Sequence, residues 1–347
     1  MIRFLTMKKK ISIAILACVI LLGLIFVIVK LIKVSGPADE KNEEKSNDFY
    51  SINGLKVSKE VSEKRPIAVM VENHPDARPQ SGLSRADIVY ETLTEGGITR
   101  FMALYQSSNA ENIGPIRSAR EYFAQIADDW GAVYAHVGGS NEVIAQINNG
   151  KYPNLSDADE YYNEDFFNRI TARPAPHNVY TSINKLERLM DFYDFGKKAG
   201  YQPFIFKQES PATSSTATKI EIDFSKPGYE VSWNYDSTAN DYRRSIYFEP
   251  DVDAAINHQI TAKNIVTQFV EVTLVPNDPL FSVDINLLGF GKALFFQDGK
   301  ATEGVWVKNP GETTKFYNEA GGEFEFNRGP IWIELVPVEK EGSLNWK

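Results

Sequence analysis

The sequence predicts an α+β protein: a mixed α/β layer domain followed by a β-rich domain, the latter a sandwich or partly open barrel. Three observations carry that prediction. In the first half, short β-prone runs alternate with segments of helical period, the mark of layered α/β and α+β folds. In the second half, period-two or apolar runs recur at 219–224, 229–235, 244–248, 265–275, 293–297, 305–308 and 331–336, with turn residues between them. Between the halves, residues 208–218 (Gln-Glu-Ser-Pro-Ala-Thr-Ser-Ser-Thr-Ala-Thr) break the composition and separate two segments of ordinary domain size. The predicted organisation is an N-terminal anchor over 1–34, a tether over 35–62, an α/β domain over 63–208 and a β-rich domain over 219–340.

Residues 11–29 are all uncharged and would span about 28 Å as a helix at ~1.5 Å per residue, close to a hydrocarbon core of ~30 Å. Arg3 and Lys8 to Lys10 precede the run, and Asp39, Glu40, Glu43 and Glu44 follow it. The positive-inside rule then keeps the N-terminus cytoplasmic and places the chain beyond about Ser35 outside the membrane. The apolar run continues past Cys18 as Val-Ile-Leu-Leu-Gly-Leu-Ile-Phe, which favours an uncleaved single-pass anchor over a cleaved signal or a lipobox at Ile15-Leu-Ala-Cys18. Residues 34–62 are rich in Glu, Lys, Ser and Asn, with too few large apolar groups to repay the entropy of folding.

In the first domain, 67–71, 87–93 and 101–106 read as strands, with Gly96-Gly97 as a tight hairpin turn between the last two. Ala119, Tyr122, Phe123, Ile126, Ala127 and Trp130 form one buried helical stripe. Residues 133–137 return as a strand, and 140–147 and 182–198 read as helices. In the second domain Asn277-Asp-Pro279, Asp298-Gly299, Asn309-Pro-Gly311 and Gly321-Gly322 punctuate the strands. Trp306, Trp332, Phe295, Phe296 and Tyr317 fit half-buried strand positions better than a ligand platform.

At 43% hydrophobic and 12% aromatic residues the chain can build a substantial core. Its formal charge of −9 argues against nucleic acid as a partner, since backbone phosphates call for a basic surface. Its single cysteine excludes an internal disulfide. Four histidines, none at the tight spacings of zinc sites, lead us to expect no metal and no cofactor.

The candidate site lies between Arg65 and Ser140, with a later loop at Ala175-Pro-His-Asn178. Ser118-Ala-Arg-Glu121 fits a capping box, so Arg117 and Arg120 would flank a helix N-terminus that seats a phosphate or carboxylate. The competing reading pairs these arginines with Glu72 or Glu91 as structural bridges. His136-Val-Gly-Gly-Ser140 repeats the arrangement of strand, glycine turn and helix start. His74, His136 and His177, if they converged with Glu72 or Glu91, would bind zinc or supply acid–base chemistry, although the tight ligand spacings of zinc sites are absent. The expected ligand-binding set is Asn73, Glu91, Arg100, Arg117, Arg120, His136, Ser140, His177 and Asn178; no catalytic residue is assigned.

The chain resembles the YerB-like family, bacterial envelope proteins labelled lipoproteins and given a domain of unknown function. The resemblance rests on Arg65-Pro-Ile-Ala-Val-Met-Val-Glu-Asn-His74, Pro79-Gln-Ser-Gly-Leu83, Ala86-Asp-Ile-Val-Tyr-Glu91, Glu95-Gly-Gly-Ile-Thr-Arg100, Gly114-Pro-Ile-Arg-Ser-Ala-Arg120, His136-Val-Gly-Gly-Ser140 and Pro176-His-Asn178. It continues through Gly289-Phe-Gly291, Asp298-Gly-Lys300, Gly304-Val-Trp306 and Gly329-Pro-Ile-Trp332. It implies an N-terminal α/β domain, a C-terminal β-rich domain and an envelope location, but no reaction. Over about thirty residues the chain is also similar to LytR-CpsA-Psr phosphotransferases, an analogy that would make Asp87 a magnesium ligand and Arg117 a pyrophosphate ligand. Ser118 departs from that pattern, where those enzymes carry an acid.

The resulting expectation is a membrane-tethered extracytoplasmic protein whose partners are the membrane, an anionic envelope ligand or envelope proteins. One alternative is a phosphoryl-transfer or hydrolytic enzyme of cell-wall precursors, acting through His136, Asp87 or Glu91. The other is a non-catalytic scaffold recruiting through surfaces near Trp306 or Trp332.

Overall fold

The computed structural model describes residues 49–198 and 200–347. The anchor expected over 1–34 and the tether up to residue 48 lie outside the described residues. Among the described residues no helix is long and apolar enough to cross a membrane. The remainder of the expected tether is folded: Phe49 and Tyr50 pair antiparallel with Lys56 and Val57, and Lys59–Ser62 forms a helical turn. Composition missed this because a few side chains do the anchoring. Ile52 is fully buried, its N–H donates to Gln106 Oε1, and Asn53 Nδ2 donates to Asp87 Oδ1 at 2.6 Å.

The first half supplies β1 (Ile67–Glu72), β2 (Ile88–Leu93), β3 (Thr99–Tyr105), α1 (Glu121–Asp129), β4 (Val133–His136), α2 (Asn141–Asn148), β5 (Ser156–Asp159) and α3 (Ile183–Phe192). The second half supplies β6 (Lys219–Asp223), β7 (Glu230–Asp236), β8 (Asp241–Ile246), β9 (Asn264–Leu274), β10 (Val283–Asn286), β11 (Gly289–Gln297), β12 (Lys300–Lys308), β13 (Lys315–Asn318) and β14 (Ile331–Pro337). A mixed sheet runs β13-β12-β11-β9-β14-β2-β3-β1-β4-β5, with β10 pairing β9. It passes from one half of the chain to the other at β14 and β2, which run parallel from Ile331 opposite Ile88 to Leu335 opposite Thr92. The composition break at 208–218 thus lies in a connection, while the sheet continues across both segments.

Period-two alternation divides the sheet's side chains between two cores. On one face Met70, Tyr90, Met102, Ile333 and Leu335 pack under α1, whose Tyr122, Phe123, Ile126 and Trp130 form the predicted stripe. On the other, Val71, Val89, Phe101, Trp332 and Val336 meet α3 and a second sheet, β6–β8. Ile220, Ile222, Val231, Trp233 and Tyr242 of that sheet point inward. Each fully buried large apolar side chain contributes about 1.5–3 kcal/mol, so both cores draw stability from both halves. Trp306, Trp332, Phe295 and Phe296 are core, as their strand positions suggested, and Tyr317 is half-buried.

Two helix starts carry a serine cap: Ser140 Oγ accepts from Val143 N, and Ser182 Oγ from Lys185 N. The third does not. Residues 117–119 are extended, because Arg117 N donates to Met70 O, Val137 N to Arg117 O and Ala119 N to Gly138 O. The helix therefore begins at Glu121 with Arg120 as N-cap and no side-chain cap bond, and the capping box expected at Ser118 is not formed.

Candidate functional site

Strands β1 and β4 pair in parallel only from Ile67–Val133 to Val69–Ala135. Beyond that point the chain from Ile116 enters between them, Ile116 bridging Val71 and Ala119 bridging Gly139. This insertion carries Arg117 to the C-terminal end of β1. There Arg117 Nε lies 2.5 Å from Glu72 Oε2, while its terminal nitrogens have no partner among the described residues. Glu72 is 1% exposed, so the pair couples a buried carboxylate to a guanidinium whose outer edge is open. Glu72 also accepts from His74 N, at 3.3 Å, and lies 3.9 Å from His177 Nδ1.

Arg100 and Arg120 are occupied differently. Arg100 is fully buried and donates Nη2 to Glu95 Oε1 and Nη1 to Ser118 O. Arg120 donates Nε to Glu95 Oε2 and places Nη2 2.5 Å from Oε1. Burial alone would raise the Glu95 pKa, but Arg100 and Arg120 outweigh it and hold the carboxyl at about 2. Arg117 therefore follows the structural-bridge reading at Nε and leaves its terminal nitrogens open, whereas Arg100 and Arg120 both pair with Glu95. The sequence reading named the arginines and missed Glu95, although it stands directly before the Gly96-Gly97 hairpin, where a short loop aims it back at β3.

Apart from His177, the other expected site residues do not converge on Arg117. Glu91 faces the opposite core. It accepts from Thr99 Oγ1 at 2.7 Å and from Asn73 Nδ2 at 3.3 Å, and Arg244 Nη2 donates to its Oε2 at 2.6 Å. Asn73 is saturated there, since Oδ1 also accepts from Arg78 Nε and Gln80 Nε2. Arg244 also pairs with Asp251 and lies over the Trp332 ring at 4.8 Å from its centroid. Burial, and then the charge of Glu91, pushes the Glu334 carboxyl beside it well above the usual range, and Trp233 Nε1 donates to it at 2.9 Å. Arg244 and Glu334 were missed, yet each is in phase with buried aromatics of its own strand, Tyr242 and Trp332.

His136 is fully buried and spent, with Nδ1 2.8 Å from Gly138 O and Nε2 2.7 Å from Asp157 Oδ1, so it ties β4 to β5. The Ser140 hydroxyl caps α2, and Asn178 Oδ1 lies 3.5 Å from Arg169 Nη1. Asp87 precedes β2 at the far end of the sheet from Glu72. It is held by Asn53, Ser107 and the N–H groups of Gln106 and Ser107. Asp87 and Arg117, paired by the phosphotransferase analogy, are not brought together.

His177 does reach the Arg117 cluster. Its ring stacks on His74 with centroids 5.2 Å apart and planes at 17°. Burial lowers the His177 pKa from its ordinary value, outweighing the Glu72 carboxylate beside it. Among the described residues no Ser, Thr or Cys side chain hydrogen-bonds to either ring. Two surface clefts lie elsewhere: one of about 560 Å³ lined by Tyr50, Tyr201 and Phe206, and one of about 380 Å³ lined by Arg65, Glu187 and Lys198.

With this geometry in view, comparison with known proteins defines the class. Residues 52–195 match the family described as "Protein of unknown function (DUF3048) N-terminal domain", and residues 220–333 match its C-terminal domain. The chain belongs to this family. It is 32% identical over 296 residues to "Putative lipoprotein YerB" of Bacillus subtilis, covering 85% of this chain and 88% of that protein. It also matches the crystal structure of YerB from Bacillus subtilis with a TM-score of 0.77 and 31% identity, over 86% of this chain and 99% of that one. The chain is accordingly a YerB-like envelope protein, extracytoplasmic and membrane-associated, with an α+β fold.

Proposed function

We propose that the chain is held at the membrane by an uncleaved anchor over residues 11–29 and binds an anionic envelope ligand, phosphate or carboxylate, at Arg117. The observation that carries this reading is the open guanidinium edge of Arg117 beside a buried Glu72. Around it Arg100, Arg117 and Arg120 oppose Glu72 and Glu95, so the cluster keeps one positive charge beyond its internal pairs. A guanidinium oriented through Nε presents its terminal nitrogens as a preformed fork, the geometry that suits two oxygens of one anion. Ligands of parallel strands also favour the space beyond their C-terminal ends, where Arg117 lies.

The phosphoryl-transfer alternative is weakened by the occupation of His136 and Asp87 in structural bonds. The scaffold alternative keeps one supporting observation, the exposed Leu274, Leu280, Phe281 and Phe290.

The test is the melting midpoint of the full chain in detergent against pyrophosphate, inorganic phosphate and muropeptides, with Arg117→Gln alongside. A ligand that binds only the folded state raises the midpoint, by an amount equivalent to about 2.7 kcal/mol at one hundred times its Kd. The reading requires a rise with at least one of these anions that Arg117→Gln abolishes. No rise with any of them would remove it.

A further inference from the structure

We infer that His74, Asp76 and His177 form a binding site for a first-row divalent metal ion, with zinc the best fit to the donors. One donor atom of each residue lies within 4.8 Å of the other two. His74 Nδ1 is 3.6 Å from Asp76 Oδ2. A tetrahedral ion with bonds of ~2.0–2.1 Å needs donors about 3.3 Å apart, so closure calls for shifts on the order of 1 Å. The side chains that must move can do so, since Asp76 is 76% and His74 41% exposed. Two imidazoles and a carboxylate suit zinc and its first-row neighbours rather than magnesium or calcium.

A second observation points to a ligand at the same place. His177 is 9% exposed, and its Nδ1 is buried without a hydrogen-bond partner among the described residues. Glu72 Oε2 lies 3.9 Å away, beyond hydrogen-bond range. A buried ring nitrogen left unpaired is costly, which is an anomaly that a bound ion removes. An ion on Nδ1 takes up this orphan nitrogen, with the Glu72 carboxylate 3.9 Å from the same atom as a nearby countercharge.

The surroundings hold the two loops together. Arg173 from the His177 loop donates Nη1 to Asp76 O at 3.2 Å and Nη2 to Pro79 O at 2.8 Å. Ile116 N donates to Val179 O at 2.7 Å, which fixes the His177 loop against the Arg117 insertion. No zinc spacing is visible in the sequence because the donors come from two distant loops, and only the fold unites them. The inference uses the candidate site but not the anion reading, since an ion can bind whether or not Arg117 holds an anion.

The experiment strips the full chain of metal with a chelator and then titrates Zn²⁺ and Co²⁺. Zinc is read by elemental analysis and competition with a chromogenic chelator, and cobalt by its visible absorption. The expected result is one ion per chain, with affinity falling tenfold or more in His177→Ala and in Asp76→Asn, and unchanged in His258→Ala. Asp76 is exposed enough that Asp76→Asn leaves the fold intact, so it decides the matter if His177→Ala fails to fold. Failure to retain a stoichiometric ion, or equal retention in Asp76→Asn, would overturn the inference. A chain that binds Zn²⁺ but shows no midpoint shift with anions would sink the anion reading and leave the metal site standing; the reverse result would do the opposite.

Discussion

Arg117 and Arg120 stand three positions apart and are used in opposite ways, which is the main lesson at the scale of residues. Both were legible as candidates because arginines beside glycines and a helix start suggest an anion seat. Their partners were not, since ion pairing depends on which strands lie side by side, and that is set by packing. Glu95 makes the difference measurable. Its folded pKa is about 2 against an ordinary 4.5, burial being outweighed by Arg100 and Arg120. A carboxylate depressed in this way stabilises the fold fully above its unfolded value and loses that contribution as pH falls through its folded value. The Glu95 contribution, at most on the order of 3 kcal/mol, should therefore be intact above about pH 4.5 and fade towards pH 2. Glu95→Gln should melt well below the wild type at pH 7, and the gap should narrow steadily in melts taken down to pH 3. A gap independent of pH would show that the two guanidinium pairs contribute nothing net.

At the scale of elements, the strands of the first half with strong apolar runs were read from the sequence nearly to their ends, whereas β11 and β12 were read only over their C-terminal parts. Those missed were β5, the polar run Ser156–Asp159 at the sheet edge, β10, which pairs only with the end of β9, and β13, the short run Lys315–Asn318. None has a continuous apolar face to announce it. Helix starts divide in the same manner. Ser140→Ala should cost about 1 kcal/mol because a real cap bond is lost, whereas Ser118→Ala should leave the midpoint within error because its hydroxyl caps nothing. Equal losses at both positions in chemical denaturation would restore the capping box that extended residues 117–119 displace. In β12, Gly304 allows β13 to approach. A Cβ there would sit 2.1 Å from Tyr317 O and 2.8 Å from the Phe295 ring. Gly304→Ala should accordingly release β13, raising hydrogen exchange at Lys315–Asn318 while the amides of β1 and β3 stay protected.

At the scale of the molecule, two family segments share one sheet, and the connections between them are buried. β14 of the second segment lies against β2 of the first, Arg244 reaches Glu91, and Lys308 of β12 pairs with Asp129 of α1. Both ion pairs are almost wholly excluded from water, and a buried charge that loses its partner costs about 3–5 kcal/mol. The composition break at 208–218 carries no information about any of this, since it records where the chain is polar and not which strands meet. Separately expressed 49–218 and 219–347 should each lack a cooperative melt, the first because β2 loses its neighbour and Glu91 its guanidinium, the second because Arg244 loses Glu91. The intact chain should unfold in one calorimetric transition whose van't Hoff and calorimetric enthalpies agree. Arg244→Met should lower that single midpoint without splitting it, because the charges it strands, Glu91 and Asp251, belong to the two segments at once. Two resolved transitions, or a cooperative melt of either piece alone, would mean that the shared sheet is a contact between independent folds. The persistence of one transition in Arg244→Met would locate the cooperativity in the β14–β2 pairing and the two apolar cores, with the buried charges setting how stable that unit is.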